Sequence, residues 1–359
     1  MNDYTTPLKR DSVLTVDIPA IRHNLEVIKQ RAGTGTKVMP VIKANAYGHG
    51  SRVIAEALQG EVDWFAVNSV DEGIELRDHG IDLPILVFGV PNSETADLYA
   101  NFNLTATVSE MSHFDLLPAG TEYHMNFDTG MGRLGIPPGR AKEAFEQMEN
   151  HSALICSGIY SHFATSDVPG SEMVENQLRR FKKISSYFPD QLLTHIANTG
   201  GACFYHDTAL DLIRPGIGIY GYPPAGTEIQ NLKPALSWTS KLVQVNPISK
   251  GETVSYGANW QAPHDGFVGV IPVGYEDGLK RVLSGRISFT IDGKKYPQVG
   301  NITMNYCMVF LGQDQLSAGT GVKLLRTSQN DLSRWAELAG TIPYEILTSL
   351  PPDIPRVYE

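Results

Sequence analysis

The sequence predicts an α/β protein with two parts, an N-terminal (β/α)8 TIM-like barrel and a C-terminal domain made mostly of β-strands. The chain has 359 residues, of which 42% are hydrophobic, and this is enough for one large domain or two ordinary ones. Strand and helix patterns alternate through the first two thirds of the chain. After residue 232 they give way to short apolar segments separated by Gly, Pro and Asn. This change of pattern predicts the division into two parts.

The barrel is predicted from eight apolar, β-rich segments, at residues 38–43, 64–68, 84–88, 104–108, 122–127, 154–162, 192–197 and 212–220. Amphipathic helical patterns lie between them, at 52–58, 71–79, 94–99, 140–149 and 172–188. A doubly wound sheet would alternate in the same way, but eight units whose strands read as parallel and fully buried favour the barrel. A strand pattern at 13–18 and a helical pattern up to Arg31 lead the chain into it. The predicted barrel domain is therefore 12–232.

The C-terminal domain is predicted at 233–359, together with residues 1–11. Its strand patterns are short and lie at 236–245, 268–273, 287–291, 303–311 and 322–325. One late helix is predicted at 331–339. The segment is typical of an all-β module with a helical tail.

Composition excludes several classes of protein. The net charge of −10 and a pI near 5.5 argue against a nucleic-acid partner, because such partners are usually bound by a basic surface. No apolar run is long enough for a membrane span, and no apolar secretory segment is visible near Met1, so a cytoplasmic protein is expected. The three cysteines, Cys156, Cys203 and Cys307, are too far apart for a disulfide framework or a CxxC metal site, and no metal is expected.

Lys43 is the most informative single residue. It ends an apolar segment and is followed by the Gly-rich sequence ANAYGHG at 44–50. A buried lysine has a lowered pKa and becomes a nucleophilic amine, which can form a Schiff base with an aldehyde cofactor such as pyridoxal phosphate. The alternative is a solvated lysine at the end of a strand, which is the commoner case for a lysine taken alone.

Other polar residues also follow predicted strands. The active site of a (β/α)8 barrel lies at the carboxyl ends of its strands, where these side chains converge. The residues are Lys43, Asn68, Arg133, His162, Asn198, Thr199 and Arg214. The loops at 198–201 and 214–218 also offer hydroxyl, amide and glycine N–H donors that suit a phosphate, although ordinary turns would explain them equally well.

Two further segments need interpretation. Residues 130–135 (GMGRLG) match the GxGxxG pattern of dinucleotide-binding proteins, but Pro137 and Pro138 follow where the helix of that fold would run. We interpret the segment as a turn that points Arg133 toward the mouth of the barrel. Tyr256 would need cationic neighbours to lower its pKa from about 10 before it could act as a base, and on sequence alone it reads as a packing residue.

Six motifs combine these residues in a fixed order. They are VIKANAYGHG at 41–50, DTGMGRLG at 128–135, SHFA at 161–164, RPGI at 214–217, VSYG at 254–257 and TIPYE at 341–345. Together they resemble the alanine racemases, a family of pyridoxal-phosphate enzymes, and the resemblance covers nearly the whole chain. It implies isomerase activity that interconverts L-alanine and D-alanine, supplying D-alanine for peptidoglycan, in a homodimer with shared active sites.

The resemblance also implies roles for particular residues. Lys43 carries the pyridoxal 5'-phosphate and is one catalytic base, and Tyr256 of the other subunit is the second. Arg133 and the backbone at Met304 receive the substrate carboxylate. The remaining cofactor-binding residues are Tyr47, Asn198, Thr199, Gly216, Ile217 and Tyr344 around the phosphate, and Arg214 at the pyridine nitrogen with His162 supporting it. An arginine there leaves that nitrogen largely unprotonated, because its pKa is above about 12, and this disfavours transamination and decarboxylation.

Three asparagines depart from the family pattern. Asn126 stands where many members have a lysine whose carbamate orients the arginine equivalent to Arg133, and Asn126 cannot be carbamylated. We therefore expect neutral hydrogen bonds or a chloride ion between Asn126 and Arg133, since an unpaired buried guanidinium is costly. Asn301 and Asn305 replace charged residues at the mouth of the substrate channel, so substrate breadth is left open.

Three alternatives remain at this point. A racemase of the same fold with broader specificity, for example for serine, is disfavoured by the bulky Tyr256 and Tyr344, which suit a small side chain. A related barrel decarboxylase is disfavoured by Arg214 in place of an acidic partner for the pyridine nitrogen. A non-catalytic cofactor-binding protein on a similar barrel would leave the C-terminal domain unexplained.

Overall fold

The structure is a computed structural model that describes residues 11–33, 35–224, 227–326 and 328–359. It divides into two compact units. The barrel unit is Ile21–Leu232, and the β unit combines the described residues up to Ala20 with Lys233–Glu359. The first strand of the described chain, β1 (Val13–Val16), pairs with two strands of the β unit and with no described strand of the barrel. The sequence analysis had placed these residues in the barrel domain, and long-range strand pairing assigns them to the other unit.

Eight parallel strands of the described chain form a closed ring. They are β2 (Lys37–Val38), β3 (Phe65–Val67), β4 (Ile85–Val87), β5 (Ala106–Val108), β6 (Glu122–Asn126), β7 (Ile155–Tyr160), β8 (Leu193–His195) and β9 (Leu212–Ile213). Ladders join β3 to β4 and β5 through β8 in sequence order, and isolated bridges between Val41 and Ala66, Leu86 and Thr105, and Asn198 and Arg214 join the rest. Pairing of β2 with β9 closes the ring. The predicted (β/α)8 barrel is confirmed.

Helices separate the strands. They are α1 (Ile18–Ala32), the left-handed segment α2 (Lys43–Tyr47), α3 (Ser51–Leu58), α4 (Val70–Asp78), α5 (Ala96–Asn101), α6 (His113–Leu116), α7 (Ala141–Asn150), α8 (Glu172–Ser185) and α9 (Thr199–Phe204). Helix α8 shows why these segments fold as they do: Val174, Phe181 and Ile184 lie on one buried face, and polar residues cover the other.

Two predicted strands are shorter than expected, for the same reason. The regular part of β2 ends at Val38, although backbone hydrogen bonds to both neighbouring strands continue as far as Ile42. Pro40 has no N–H to donate and interrupts the ladder. The predicted strand at 212–220 ends at Ile213, and after Pro215 the chain forms a 3-10 helix at Ile217–Tyr220.

The β unit is built on a nine-stranded sheet in the order β11-β12-β15-β14-β13-β16-β10-β1-β17. Its remaining strands are β10 (Leu236–Lys241), β11 (Gln244–Ile248), β12 (Gly266–Ile271), β13 (Ser288–Ile291), β14 (Lys294–Val299), β15 (Cys307–Gly312), β16 (Gly321–Leu325) and β17 (Arg356–Tyr358). The unit has two helices in its described residues, α10 (Gln329–Ala339) and α11 (Pro343–Thr348), where one was predicted. The second begins with Pro343, a residue favoured at the first helical position.

Aromatic side chains mark the core of the β unit. Trp238 is fully buried, and Trp335 packs edge-on against both Trp238 and Phe289, with ring centroids 6.5 and 6.3 Å apart. Such edge-to-face pairs stabilise a fold beyond the apolar area they bury. No helix within the described residues combines the length and the apolar composition needed to cross a membrane.

Candidate active site

A left-handed turn follows Lys43 at the mouth of the barrel. Ala44, Asn45, Ala46 and Tyr47 have φ angles of 51°, 53°, 51° and 52°. Left-handed helical geometry costs roughly 1–2 kcal/mol for each residue that has a Cβ, and such strain is concentrated at functional sites. The Asn45 side chain stabilises the turn by accepting a hydrogen bond from the Ser51 N–H at 3.0 Å. The turn therefore places Lys43 and Tyr47 in a fixed arrangement that an ordinary helix would not produce.

Lys43 is half-buried, and its environment favours the neutral amine. Burial lowers the pKa of the ammonium below its ordinary value of 10.5, the Arg133 guanidinium lowers it further, and the Glu72 carboxylate partly opposes both. The Lys43 Nζ also lies 5.8 Å from the centre of the Phe88 ring. A lysine of this kind can serve as a nucleophile or a base near neutral pH.

Arg214 follows strand β9 and is almost completely buried. Its Nη2 donates to the backbone oxygen of Ser161 at 2.7 Å and to Nδ1 of His162 at 3.2 Å, and its Nη1 donates to Nδ1 of His195 at 2.7 Å. Its Nε is buried and has no hydrogen-bond partner among the described residues. The partners that the described residues provide for this guanidinium are uncharged, and its Nε–H remains for a ligand.

The histidines behind Arg214 are neutral. Because arginine only donates, Nδ1 of His195 must accept, and the proton of that ring sits on Nε2. This nitrogen is 2.8 Å from Nδ1 of His124, which accepts in turn. Burial, with Arg214 nearby, lowers the pKa of His124 to about 3 and that of His195 well below 6.5. Burial and the Arg214, Arg133 and Lys43 cations lower the pKa of His162 to about 3.

The two loops that suggested a phosphate site meet in the structure. The Thr199 hydroxyl oxygen accepts hydrogen bonds from the N–H groups of Gly216, at 3.0 Å, and Gly218, at 3.4 Å. A Cβ at position 216 would lie 2.6 Å from the Tyr47 hydroxyl, so only glycine allows this tyrosine to approach the backbone. Asn198 caps helix α9 by accepting from the Gly201 N–H at 3.0 Å. The hydroxyls of Tyr47 and Thr199 therefore both lie beside the backbone of Gly216.

Arg133 lies in the turn predicted for it, on the exposed side of the site. Asp128 holds the turn by accepting from the N–H groups of Gly130 and Gly132, at 2.9 and 3.0 Å. The amide of Asn126 donates to the backbone oxygen of Leu134 at 3.1 Å. Within the described ranges, no side chain or backbone group forms a hydrogen bond or ion pair with the Arg133 guanidinium. The neutral hydrogen bonds expected as one way of holding it are therefore not formed.

Three predicted site residues belong to the β unit and not to the barrel unit: Tyr256, Met304 and Tyr344. Tyr256 is 75% exposed and follows Ser255, whose φ of 68° is unusual for a residue with a side chain. The side chain of Met304 is also exposed, and its backbone oxygen accepts from the Glu276 N–H at 3.1 Å. No described residue accepts a hydrogen bond from the Met304 N–H. Tyr344 lies in the first turn of α11 and is half-buried.

Sequence reasoning did not identify two residues that shape this site. His124 lies inside β6, and only its pairing with His195 across the barrel shows its role. Glu72 accepts hydrogen bonds from the N–H of Ala44, in the turn after Lys43, and from the N–H of Asn68, after strand β3. A sequence signal for it was present, because Ser69 and Glu72 form the S-x-x-E capping box that starts α4.

Both parts of the chain match known protein families in sequence. The sequence matches the family described as "Alanine racemase, N-terminal domain" over residues 16–224, and "Alanine racemase, C-terminal domain" over residues 235–358. The chain belongs to the alanine racemase family. Alanine racemases are pyridoxal-phosphate-dependent isomerases, so the resemblance inferred from the six motifs is confirmed.

Individual alanine racemases are similar along their whole length. The chain is 35% identical to the alanine racemase of Streptococcus gordonii, with 99% of each protein aligned, and 34% identical to that of Geobacillus kaustophilus, with 97% of this chain and 94% of the relative aligned. Two solved structures are also similar. The alanine racemase from E. faecalis has a TM-score of 0.92 at 32% identity, covering 99% of this chain and 100% of that one. That from Bacillus anthracis, solved with bound L-Ala-P, has a TM-score of 0.91 at 31% identity, covering 99% and 96%.

The barrel residues of this alanine racemase family member fit the cofactor of the family. The pyridine nitrogen of pyridoxal phosphate is a hydrogen-bond acceptor, and the buried Nε of Arg214 is a donor without a protein partner. The glycine at 216 leaves room beside the Tyr47 hydroxyl, where a Cβ would not fit. These two observations match the two ends of the cofactor.

Proposed function

We propose that this chain is a pyridoxal-phosphate-dependent alanine racemase that interconverts L-alanine and D-alanine in the cytoplasm and supplies D-alanine for peptidoglycan. The observation that carries the proposal is Arg214, a buried guanidinium with only neutral described partners and an Nε–H that has none. It would donate to the pyridine nitrogen of the bound cofactor and give it no proton, because the pKa of Arg214, although lowered to about 10 mainly by burial, stays above neutral pH. An acidic residue here would favour other reactions of the same cofactor.

The proposal gives each cofactor-binding residue a role. Tyr47, Thr199, Tyr344 and the backbone at Gly216 and Ile217 hold the phosphate. Asn198 shapes this phosphate loop through its cap on α9, Arg214 binds the ring nitrogen, and His162 supports Arg214. When bound, pyridoxal phosphate supplies an aldehyde that reacts with amines and an electron-withdrawing ring that acidifies the substrate Cα. Lys43 provides the amine that retains it.

Two bases on opposite faces of the substrate carry the protons. Lys43 Nζ exchanges the proton of D-alanine, and its lowered pKa makes the neutral amine available for this. The Tyr256 hydroxyl exchanges the proton of L-alanine. One group removes the Cα proton and keeps it, and the other group, in its protonated form, delivers a different proton to the opposite face, which inverts the centre. The exposure of Tyr256 suits a residue that acts on a site outside its own unit.

The substrate carboxylate is bound by Arg133 and by the Met304 N–H, neither of which has a protein acceptor among the described residues. A chloride ion between Asn126 and Arg133 takes the place of the missing carbamate. An anion there is supported by the absence of a described hydrogen-bond or ion-pair partner for the Arg133 guanidinium.

The active enzyme is a homodimer in which each site takes residues from both subunits. The support lies in the β unit, where Tyr256 borders a groove of 970 Å³ that Tyr306 and Met308 also line. Tyr256, Met304 and Tyr306 are 75%, 53% and 48% exposed, which is unusual for three large apolar side chains near one another in sequence or space. A second copy of the chain would cover them.

The test is D-alanine formation from L-alanine by the purified protein with pyridoxal phosphate, run beside L-serine. Turnover of alanine with little turnover of serine supports the proposal. Comparable turnover of serine would replace it with a racemase of broader specificity. Absence of turnover of both substrates, in a protein that binds the cofactor, would refute it.

A further inference from the structure

Glu72 connects two loops at the mouth of the barrel. Its Oε1 accepts a hydrogen bond of 2.6 Å from the N–H of Ala44, the residue directly after Lys43. Its Oε2 accepts from the N–H groups of Asn68 at 2.7 Å and Ser69 at 3.2 Å. One carboxylate thus binds three backbone N–H groups, and these belong to segments that are 24 or more residues apart in sequence.

This arrangement exceeds what helix capping requires. Ser69 and Glu72 form a reciprocal capping box at the start of α4, and one carboxylate oxygen is sufficient for that. The second oxygen reaches outside the helix to the first residue of the left-handed turn. The N–H groups of Ala46 and Gly48 bind backbone oxygens four residues earlier, whereas the Ala44 N–H at the start of the turn binds the Glu72 carboxylate. Glu72 therefore holds the turn at its first residue.

We propose that Glu72 is a positioning residue for Lys43, because its carboxylate ties the left-handed turn after Lys43 to the end of strand β3. Lys43 directly precedes the residue that Glu72 binds, so the direction of its side chain follows from a backbone that Glu72 holds. The inference rests on the proposed function of Lys43. Glu72 touches neither substrate nor cofactor and acts only through Lys43.

The charge of Glu72 adds a second effect. The charged groups that face Lys43 are Arg133, which lowers the pKa of the lysine, and Glu72, which raises it, while His162 nearby is neutral. Without Glu72, burial and Arg133 would act unopposed. Glu72 therefore moderates the pKa of Lys43 as well as its position.

Two substitutions separate these effects, and Glu75 on the same helix gives a matched control. Glu72→Gln removes the charge and leaves a single acceptor oxygen, which cannot bind both the Ala44 N–H and the N–H groups of Asn68 and Ser69. Glu72→Asp keeps the charge but is shorter by one methylene, so it serves the N–H groups of Asn68 and Ser69 and fails to reach Ala44. Glu75→Gln removes a carboxylate from the exposed side of α4. Thermal unfolding of each full-length variant reports whether it folds.

The first readout is the pH at which Lys43 becomes reactive in the cofactor-free full-length chain, measured by acetylation and mass spectrometry. We expect Glu72→Gln to lower the midpoint by roughly half to one pH unit, and Glu72→Asp and Glu75→Gln to leave it unchanged. The second readout is the split between kcat and KM for alanine. Both Glu72 variants should lose about tenfold or more in kcat with KM nearly unchanged, because a displaced base slows chemistry more than binding.

The outcomes are distinguishable. If both Glu72 variants behave as Glu75→Gln does in both readouts, the proposal is refuted. If Glu72→Gln does not fold, Glu72→Asp carries the test, since it retains the capping box. If the unmodified protein shows no racemisation, the proposed function fails, whereas the labelling midpoints still decide whether Glu72 acts on Lys43.

Discussion

The side-chain amide of Asn301 donates a hydrogen bond of 2.6 Å to the backbone oxygen of Tyr256. The hydroxyl of Ser255 donates in return to the backbone oxygen of Asn301 at 2.8 Å. These reciprocal bonds hold the strained turn on which the exposed Tyr256 is carried. Asn301, which replaces a charged residue of the family pattern, therefore has a structural task next to the proposed second base.

Replacing Asn301 with alanine should release this turn. We expect Asn301→Ala to lower kcat for L-alanine by about tenfold while the affinity for pyridoxal phosphate stays unchanged, because the cofactor contacts assigned to the barrel are untouched. The measurement is steady-state racemisation beside a cofactor titration. Asn176→Ala, on α8 of the barrel unit, is the control and should leave both unchanged. A full rate in Asn301→Ala would show that the turn is held without it.

Removing the hydroxyl of Tyr256 should abolish proton exchange on one face. We expect Tyr256→Phe to lose about 10²–10⁴-fold in kcat, the usual contribution of a general acid or base. Folding and cofactor binding should persist, since the side chain is 75% exposed. Deuterium incorporation into each alanine isomer in heavy water tells the two faces apart. Tyr187→Phe, an exposed tyrosine of the barrel unit, serves as the control. Full activity of Tyr256→Phe would contradict the two-base assignment.

Lys43→Ala should prevent retention of pyridoxal phosphate and reduce racemisation to background. The expected physical reason is the loss of the one amine in the site whose pKa is lowered by burial. Cofactor absorbance after gel filtration is the measurement. Lys37→Ala, an exposed residue on β2, is the matched control and should retain both properties. If Lys43→Ala retained pyridoxal phosphate stoichiometrically, the cofactor would be attached to a residue other than Lys43.

The buried histidines should make the protein sensitive to acid. The pKa values of His124 and His162 fall to about 3 in the folded state, from 6.5 when unfolded. The unfolded chain therefore binds more protons below pH 6.5, so this stabilisation is fully present above pH 6.5 and is lost as the pH falls toward 3. Each such histidine lowers the free energy of unfolding by up to about 1.4 kcal/mol per pH unit in that interval.

Urea unfolding between pH 7 and pH 4 measures this effect. We expect His124→Gln to reduce the slope of the free energy of unfolding against pH by the contribution of one histidine, because a glutamine side chain does not titrate. His206→Gln, at an exposed position, should leave the slope unchanged. Identical slopes for the His124 variant and the unmodified protein would show that His124 is not buried in its neutral form.

Binding of alanine should depend on chloride. We expect KM for alanine to rise when chloride is replaced by gluconate, because Arg133 then loses the anion that orients it. Asn126→Asp supplies a fixed carboxylate in its place, and its activity should no longer depend on chloride. Anomalous scattering from crystals grown in bromide is the direct measurement. Only water beside Arg133, together with equal activity in both salts, would refute the chloride site.

Much of this protein could be predicted from sequence because its signals are local. Eight buried apolar segments, each followed by a turn, predict a parallel barrel, and the barrel is present. The residues that follow those segments identified Lys43, Thr199 and Arg214, because strand ends in such a barrel face one side. The predicted strand at 212–220 was too long because the apolar residues after Pro215 continue the pattern while the backbone does not.

The sequence by itself determined which chemical groups stand at the strand ends and in what order. Only the tertiary structure decided how those groups are held, since the deciding contacts join residues far apart in the chain. The bond between Arg214 and His195, the link from His195 to His124, and the reach of Glu72 to Ala44 all cross the barrel or join separate loops. The pairing of β1 with β10 is likewise a long-range choice. A local pattern reports burial and turns, but the partner that a buried polar group finds depends on closure of the whole sheet.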